Sequence, residues 1–264
     1  MTTVSAVIRP DVPPEQLCTL ARVAEDAGLD QLWLWEDCFW GGAMALASAA
    51  LAVTERLRIG VALHPVPLRN VALAAMEIAA LHRLFPDRVH TAVGHGVQEW
   101  MGQVGARVES PMSLLREHLV ALRALLSGER VTTHGRYVRL DDVALGWPPS
   151  SPPSVFSGGL GPRTLALSGE LADGTILTTG TTFEMFPEAQ KAVDAGRYRG
   201  GRTDPHRFIV GVNAESTGGS MPVAEEVRRW FEAGVDTVML TPNSGSPDAA
   251  AFVRFAADVG RQLA

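Results

Sequence analysis

The 264-residue chain has two cysteines, a single lysine and no long apolar segment. Cys18 and Cys38 form neither a metal-binding spacing nor a disulfide framework, which predicts a protein of a reducing compartment, the cytoplasm. No apolar run reaches membrane-spanning length, and the N-terminal residues lack the charged and apolar regions of a signal peptide. With a net charge of −6 and no basic cluster, the sequence gives no indication of nucleic-acid binding.

Several motifs of metal and hydrolase chemistry are also missing. The sequence has no HExxH or CxxC motif, so it predicts no metal site. It has no GxSxG motif, which argues against a serine hydrolase. Residues 94–99 read GHGVQE and lack the third glycine of a dinucleotide fingerprint. The lone lysine, Lys191, stands against 22 arginines, a bias that a GC-rich genome produces and that suggests an actinobacterial source.

Strand and helix patterns alternate from one end of the chain to the other. Helical apolar spacing follows each of eight short apolar runs, which predicts a (β/α)8 barrel as one domain over residues 1–264. A doubly wound open sheet is the alternative. The predicted strands are 4–8, 31–35, 57–63, 88–93, 154–157, 175–179, 208–213 and 237–240. The predicted helices are 14–27, 42–53, 71–84, 111–126, 162–172, 183–196, 221–233 and 247–262.

Two segments interrupt this alternation. Residues 96–110 form a long predicted loop after the fourth strand, with no helical or strand period. Residues 131–146 read as a β-hairpin that turns near Gly135. We interpret both segments as insertions into one barrel, a loop after strand four and a hairpin before strand five.

The most informative stretch covers residues 157–180, SGGLGPRTLALSGELADGTILTTG. Gly158, Gly159 and Gly161 let the backbone approach a ligand closely, and Pro162 suits the first position of a helix. The free N–H groups and the positive end of that helix dipole favour a phosphate. Glycine-rich turns also occur simply to reverse the chain, so this stretch alone leaves both interpretations open.

Ionisable residues follow strands two and four, at the end of a barrel where catalytic groups lie. Glu36 and Asp37 are candidate acid–base residues, although a carboxylate here can equally cap the next helix or pair with an arginine. His95 lies between Gly94 and Gly96 and is a candidate proton donor; a loop histidine that contacts only backbone is the alternative. His64 has a similar position after strand three.

Aromatic residues accompany these ionisable groups. Trp40 and Trp100 follow strands two and four, which suggests an apolar or aromatic substrate. Aromatic residues of a barrel more often belong to the core, so this substrate assignment remains open.

Four stretches of the chain resemble the bacterial luciferase-like family of flavin- and deazaflavin-dependent oxidoreductases. They are residues 32–39 (LWLWEDCF), residues 59–69 (IGVALHPVPLR) with 75–77 (AME), residues 88–126 and residues 158–174. The third is the most specific, because Arg116-Glu117 and the following leucine-arginine pattern precede Gly135-x-Tyr137. The resemblance covers nearly the whole chain and implies a (β/α)8 barrel.

The resemblance implies reduced FMN or coenzyme F420 at the C-terminal mouth of the barrel. The ring of the cofactor would lean on a bulge with a non-proline cis peptide bond at Ala62–Leu63, next to His64. Its phosphate would lie near two turns, the glycine-rich turn after strand five and the threonine loop after strand six. These cofactor-binding positions, together with the strand-four glycines, are Gly94, Gly96, Ser157, Gly158, Gly159, Gly161, Pro162, Arg163, Thr164, Thr179 and Gly180.

The chain departs from the family at two places that bear on catalysis. Many F420-dependent members carry Asp-His after strand two, where this chain has Asp37-Cys38. Several carry a glutamate directly after the second glycine of the strand-four motif, where this chain has Val97. The proton donor is therefore open among His95, Glu36 and Asp37.

Three functions follow from the resemblance. The preferred one is an F420-dependent oxidoreductase that exchanges a hydride with a small organic substrate, as an actinobacterial source favours. The alternatives are an FMNH2-dependent monooxygenase served by a separate flavin reductase, and a protein that binds the cofactor without turnover. The family often dimerises through helices near strands two to four, so a homodimer is a further expectation.

Overall fold

The computed structural model describes residues 2–243 and 248–263. Its strands are β1 Thr3–Ile8, β2 Gln31–Leu34, β3 Arg58–Pro65, β4 Val89–Gly94, β5 Val131–His134, β6 Arg139–Val143, β7 Val155–Gly158, β8 Gly174–Leu177, β9 Arg207–Ala214 and β10 Thr237–Pro242. Its helices are α1 Leu17–Asp26, α2 Ala43–Ala52, α3 Val71–Leu84, α4 Gln98–Gln103, α5 Pro111–Leu126, α6 Pro162–Leu171, α7 Phe186–Arg199, α8 Ser220–Glu232 and α9 Ala249–Arg261.

Eight parallel strands close into a barrel in the order β1-β10-β9-β8-β7-β4-β3-β2. Closure is made by β1, which pairs with β10 from Thr3 opposite Thr237 and with β2 on its other side. The closed ring confirms the predicted (β/α)8 barrel and excludes the open sheet. Because every barrel strand is parallel, all eight carboxyl ends meet at one mouth.

The apolar spacing of the helices explains how they cover the barrel. In α1 the buried residues are Leu17, Leu20, Ala21 and Ala24, one stripe of the helix that faces the strands. The predicted helix boundaries agree to within a few residues. The largest shifts are at α1 and α7, which begin at Leu17 and Phe186 because short 3-10 helices, Pro14–Gln16 and Phe183–Met185, take the predicted starts. The predicted start of the last helix, residue 247, lies outside the described residues.

The two predicted insertions differ in outcome. The hairpin is present as β5 and β6, which pair antiparallel on either side of Gly135. The expectation of an unstructured loop over 96–110 was wrong in part, because α4 forms within it and buries Met101 completely. A helix of six residues is too short to show a helical period in the sequence, so the pattern gave no sign of it.

A stack of three rings fills the barrel below the mouth. His90 stacks on Trp33 with ring centroids 5.8 Å apart and meets the edge of Phe156 at 6.0 Å. Burial, helped by Arg207 and Arg58, lowers the pKa of His90 to about 3, so the ring is neutral. These rings therefore fill the barrel interior at this level. In the described part of the chain, no helix is long and apolar enough to cross a membrane.

Candidate functional site at the barrel mouth

The end of β3 forms a shelf at the mouth. The peptide bond between Ala62 and Leu63 is cis, at the bond that the family resemblance indicated, and the pairing of β3 with β4 is irregular around it. A Cβ atom at Gly94 would lie 2.8 Å from Cδ1 of Leu63, and one at Gly158 would lie 3.0 Å from its Cδ2. Glycine at both positions therefore lets the half-buried Leu63 side chain extend over the ends of β4 and β7. We call this surface the Leu63 shelf.

The glycine-rich turn connects β7 to α6. Gly161 occupies the N-cap position of α6, and no side chain caps the helix. Pro162 is the first helical residue and has no N–H, and the N–H groups of Thr164 and Leu165 both donate to the carbonyl of Gly161. The backbone N–H of Arg163 is therefore the donor left at this end within the described residues. A Cβ atom at Gly159 would lie 2.8 Å from Cγ2 of Thr164, which explains glycine at that position. The structure thus brings the predicted phosphate-binding residues together in one uncapped helix start.

Three buried polar atoms without hydrogen-bond partners lie beside this turn. They are Oγ of Ser157 at the end of β7, Oγ1 of Thr181 after β8 and Nδ1 of His95 after β4. Ser157 is completely buried, and a buried donor without a partner costs about 1–3 kcal/mol. Because β4, β7 and β8 are neighbours in the barrel, these atoms share one arc of the mouth, which we call the polar arc. A polar ligand at the arc would satisfy them.

The threonine loop after β8 completes the polar arc. Thr179 packs against β9, where a Cβ atom at Gly211 would lie 2.9 Å from Cγ2 of Thr179. Gly180 is exposed and lies near Leu160 of the glycine-rich turn. The two loops that the sequence singled out for phosphate binding are therefore adjacent in space.

His95 contacts the glycine-rich turn. Its Nε2 lies 3.0 Å from Oγ1 of Thr164, within hydrogen-bond distance. Burial lowers the pKa of His95, and the backbone of Pro111 opposes this shift. The ring is thus a neutral group attached to the first turn of α6.

Glu36 lies at the centre of a buried ionic cluster. Both of its oxygens accept hydrogen bonds of 2.6 Å from Arg69, and Oε1 also accepts from the backbone N of Ala43 at the start of α2. His64 Nδ1 lies 2.9 Å from Oε2, and because a carboxylate only accepts, that nitrogen carries the proton. Glu77 adds a second carboxylate to Arg69 at 3.2 Å. We call these four side chains, Glu36, His64, Arg69 and Glu77, the Glu36 cluster.

The pKa of Glu36 follows from this cluster. Burial alone would raise it, but the hydrogen bonds from His64 and Arg69 outweigh burial and lower the pKa to about 2. The carboxylate thus performs both alternatives considered from the sequence, capping the next helix and pairing with an arginine. His64 lines a small cavity with Met44 of α2 and His118 of α5, so its side chain lies towards the helix layer.

Asp37, next to Glu36, has the opposite environment. Its carboxylate makes no hydrogen bond within the described residues, and burial raises its pKa while the Arg9 guanidinium partly opposes the shift. Arg9 is itself paired with Asp11 at 3.2 Å. The two adjacent carboxylates therefore have pKa values that move in opposite directions, with Glu36 held as an ion pair and Asp37 without a hydrogen bond.

Apolar side chains surround the mouth. Phe39 and Trp40 follow β2 and are each 61% exposed, and the Cys38–Phe39 peptide bond is cis. Three further exposed residues follow other strands of the barrel, namely Val97, Leu160 and Met185. Trp100 lies half-buried on α4. No cluster of three or more potential metal ligands occurs in residues 2–243 and 248–263.

Sequence reasoning missed two parts of this site. Thr181 was not among the cofactor-binding candidates, although it belongs to the same threonine run as Thr179. Arg69 and Glu77 were given no role, although both stand in the stretches that carried the family resemblance. Their partners lie on other elements, and residue spacing carries no information about such pairs.

Comparison with known proteins identifies the class. The chain matches the family described as Luciferase-like monooxygenase over residues 1–261. It belongs to this family, as the sequence resemblance indicated.

Individual relatives are more informative about cofactors. The chain is 25% identical to a 5,10-methylenetetrahydromethanopterin reductase of Methanolobus tindarius, over 92% of this chain and 76% of that protein. Its fold matches that of an F420-dependent secondary alcohol dehydrogenase in complex with an F420-acetone adduct, with a TM-score of 0.89, 18% identity and full coverage of both chains. It also matches the oxygenating constituent of 3,6-diketocamphane monooxygenase of Pseudomonas putida in complex with FMN, with a TM-score of 0.78, 14% identity and coverage of 100% and 98%.

Proposed function

We propose that this protein is an F420-dependent oxidoreductase that transfers a hydride between the cofactor and a small organic substrate. The observation that carries the proposal is the polar arc, whose buried atoms without partners surround an uncapped helix start. The names of the reductase and alcohol dehydrogenase relatives support F420 as the cofactor.

The residues present fit a phosphate-bearing ring cofactor. We assign its phosphate to the polar arc, where Ser157, Thr164 and Thr181 carry hydroxyl groups and Arg163 carries one backbone N–H and one cation. Gly159, beside them, has no side chain. We assign its ring to the Leu63 shelf, whose apolar surface faces the mouth. When bound, F420 exchanges a hydride at C5 of its deazaflavin ring. The protein would hold ring and substrate in register and move one proton.

We assign to Asp37 the transfer of the proton that accompanies hydride transfer. Asp37→Asn is expected to slow hydride transfer by about 100-fold or more, since general acid–base catalysis contributes factors of that size. The affinity of the variant for F420 should stay within about twofold of the wild-type value, because Asp37 lies in the loop after β2 and not in the polar arc. Because burial raises the pKa of Asp37, the rate of alcohol oxidation should rise as pH increases through that pKa. The variant should lose this rise.

The measurement is F420 reduction by a panel of alcohols, beginning with 2-propanol, followed by absorbance across pH. Asp11→Asn is the matched control, because Asp11 is a mouth carboxylate already paired with Arg9. If the pH profile of Asp37→Asn matched that of the wild type, the residue that transfers the proton would be His95 or Glu36 instead.

His95 is proposed to position the glycine-rich turn, because its ring contacts Thr164 and not the Leu63 shelf. His95→Ala is expected to weaken F420 binding by about three- to tenfold, the worth of one hydrogen bond, and to leave the single-turnover rate at saturating cofactor unchanged. Fluorescence titration and rapid-mixing absorbance measure the two quantities. A slower rate at unchanged affinity would make His95 the proton donor instead.

The substrate is proposed to be uncharged and apolar or aromatic. Phe39, Trp40 and Trp100 line the approach from β2 and α4. Arg9, the cation nearest to Asp37, is already neutralised by Asp11. Such a mouth favours an alcohol or ketone with an apolar body over a phosphorylated sugar.

The function is tested by titrating the purified protein with F420 and FMN, each oxidised and reduced, by fluorescence and thermal shift. Selective F420 binding with hydride transfer supports the proposal. Selective FMN binding would identify a two-component monooxygenase that needs a flavin reductase, in line with the FMN-bound neighbour. Binding of F420 without hydride transfer to any alcohol or ketone would leave a cofactor-binding protein.

Location and assembly are also proposals. We place the protein in the cytoplasm, as the unpaired cysteines suggest. We propose a homodimer that uses α3, whose outer face exposes Leu73, Met76 and Leu84. The neighbouring helix α2 is less suited, because Ala43, Ala47 and Ala50 are already buried within the chain.

A further inference from the structure

A wide groove lies outside the barrel mouth. It has a volume of about 670 Å³ and runs over α6 between α5 and α7. We propose that this groove holds the anionic tail of the deazaflavin cofactor, the chain of lactate and glutamate units attached through its phosphate. This inference rests on the proposed function and adds a binding site for a part of the cofactor that the barrel mouth does not reach.

The groove exists because α6 is recessed. A Cβ atom at Gly169 would lie 2.0 Å from the carbonyl oxygen of Val193, and one at Gly196 would lie 1.8 Å from that of Ala166. Only glycine at both positions allows the backbones of α6 and α7 to touch. The short helix therefore lies below the level of its neighbours over its ten residues, a length of about 15 Å.

The upper end of the groove meets the proposed phosphate position. Pro162 and Arg163, the first residues of α6, line the groove together with Met112 and Ser113 of α5. Thr164, one residue further, contacts His95 on the mouth side and donates to Sδ of Met112 at 3.6 Å. A chain that leaves a phosphate at the polar arc over Arg163 therefore enters the groove directly.

Arginines line the groove from top to bottom. Arg163 and Arg199 are exposed and make no hydrogen bond or ion pair within the described residues. Arg116, between them, binds Glu170 through both oxygens at 2.5 and 2.7 Å. Glu117 is the remaining carboxylate that lines the groove. It accepts hydrogen bonds from the backbone N–H groups of Arg136, Tyr137 and Val138 between β5 and β6, so its charge is already satisfied by the hairpin.

This charge pattern suits a chain of carboxylates. Two arginines are free to bind anions, and the third is released if an incoming carboxylate competes with Glu170. FMN ends at its phosphate and has nothing to place in the groove. The groove therefore favours F420 over FMN, because only F420 has a tail that can bind there.

The experiment measures the binding of three probes by their own fluorescence. The probes are the deazaflavin riboside without phosphate, F420 with no glutamate and F420 with five or more glutamates. Wild-type affinity should rise from the first probe to the second and again to the third, and the last gain should shrink in high salt. The double variant Arg163→Gln/Arg199→Gln should bind the long-tailed probe about fivefold more weakly.

The probe without glutamate should lose less affinity than the long-tailed probe from the double variant, because Arg163 also lies at the proposed phosphate position. The single variant Arg199→Gln should weaken the long-tailed probe and change the probe without glutamate by less than twofold, since Arg199 is far from the phosphate. Arg254→Gln on α9 is the matched control, an exposed arginine on another face. Glu170→Gln, which frees Arg116, should strengthen binding of the long-tailed probe only.

The outcomes separate this inference from the proposed function. Equal affinity for short and long tails in the wild type would overturn the tail site and leave the cofactor assignment intact. Failure of all three probes to bind would overturn the cofactor assignment itself. Equal losses for both F420 probes in the double variant would show that the arginines act on the phosphate and not on the tail.

Discussion

Glu36→Gln is expected to lower the free energy of unfolding by about 3–5 kcal/mol, the largest loss of stability for any single change considered for this chain. The side chain is 9% exposed, and its carboxylate is bound by Arg69 and His64. Removing the negative charge leaves the Arg69 guanidinium half-buried with Glu77 as its remaining carboxylate partner. Urea unfolding followed by tryptophan fluorescence measures the change.

Glu170→Gln is the matched comparison. Glu170 binds Arg116 in the same two-oxygen geometry, but the Arg116 side chain is 48% exposed. Solvent screens that pair, and its loss should cost less than about 1 kcal/mol. Equal losses in the two variants would contradict a special role for the Glu36 cluster.

The stability that Glu36 contributes should depend on pH. Its pKa is about 2 in the folded protein against an ordinary value of 4.5, so the unfolded chain takes up the proton first. The contribution is complete above pH 4.5 and is lost as pH falls from 4.5 towards 2. The difference between the wild type and Glu36→Gln should therefore narrow over that interval.

Gly159→Asp is expected to weaken F420 binding by about 100-fold, or about 2.7 kcal/mol. Its Cβ atom would meet Cγ2 of Thr164 at 2.8 Å, and its carboxylate would lie against the cofactor phosphate. Fluorescence titration with F420 measures the loss, and circular dichroism confirms that the variant is folded.

Two neighbouring substitutions separate the causes. Gly161→Ala adds a methyl group where no atom lies within 4 Å, so affinity should not change. Gly161→Asp places a carboxylate at the N-cap of α6, which should raise the melting temperature and still weaken cofactor binding. If Gly159→Asp bound F420 with the same titration curve as the wild type, the assignment of the phosphate to this turn would be wrong.

The barrel was predictable because its signals are local. Each strand and helix has its own apolar period, and eight such pairs leave few alternatives to closure. The bend at Ala62–Leu63 was indicated by family resemblance, since no residue type there demands it. The site was harder to predict from the sequence. Strand alternation could not separate Glu36 from Asp37, because β2 ends at Leu34 and both carboxylates lie beyond it.

The glycines of the mouth show a second limit. The family resemblance predicts Gly94 and Gly158 as cofactor-binding positions, and in the fold both also make room for the side chain of Leu63. Glu36 likewise looked catalytic until Arg69 and His64 appeared beside it. Both cases turn on contacts between distant parts of the chain, which no single window of sequence contains.

The stacked rings of Trp33, His90 and Phe156 divide the barrel into two halves. Above them the loops determine which molecules enter, and below them the packing of strand starts determines how firmly the chain folds. Ala62 and Leu63 at the mouth pack in the same buried cluster as Trp33 and Phe156, so substitutions in the shelf and in the rings should not combine additively. Trp40 and Val97 lie outside that cluster, so a designer can exchange the loops around them to change selectivity while the rings stay in place.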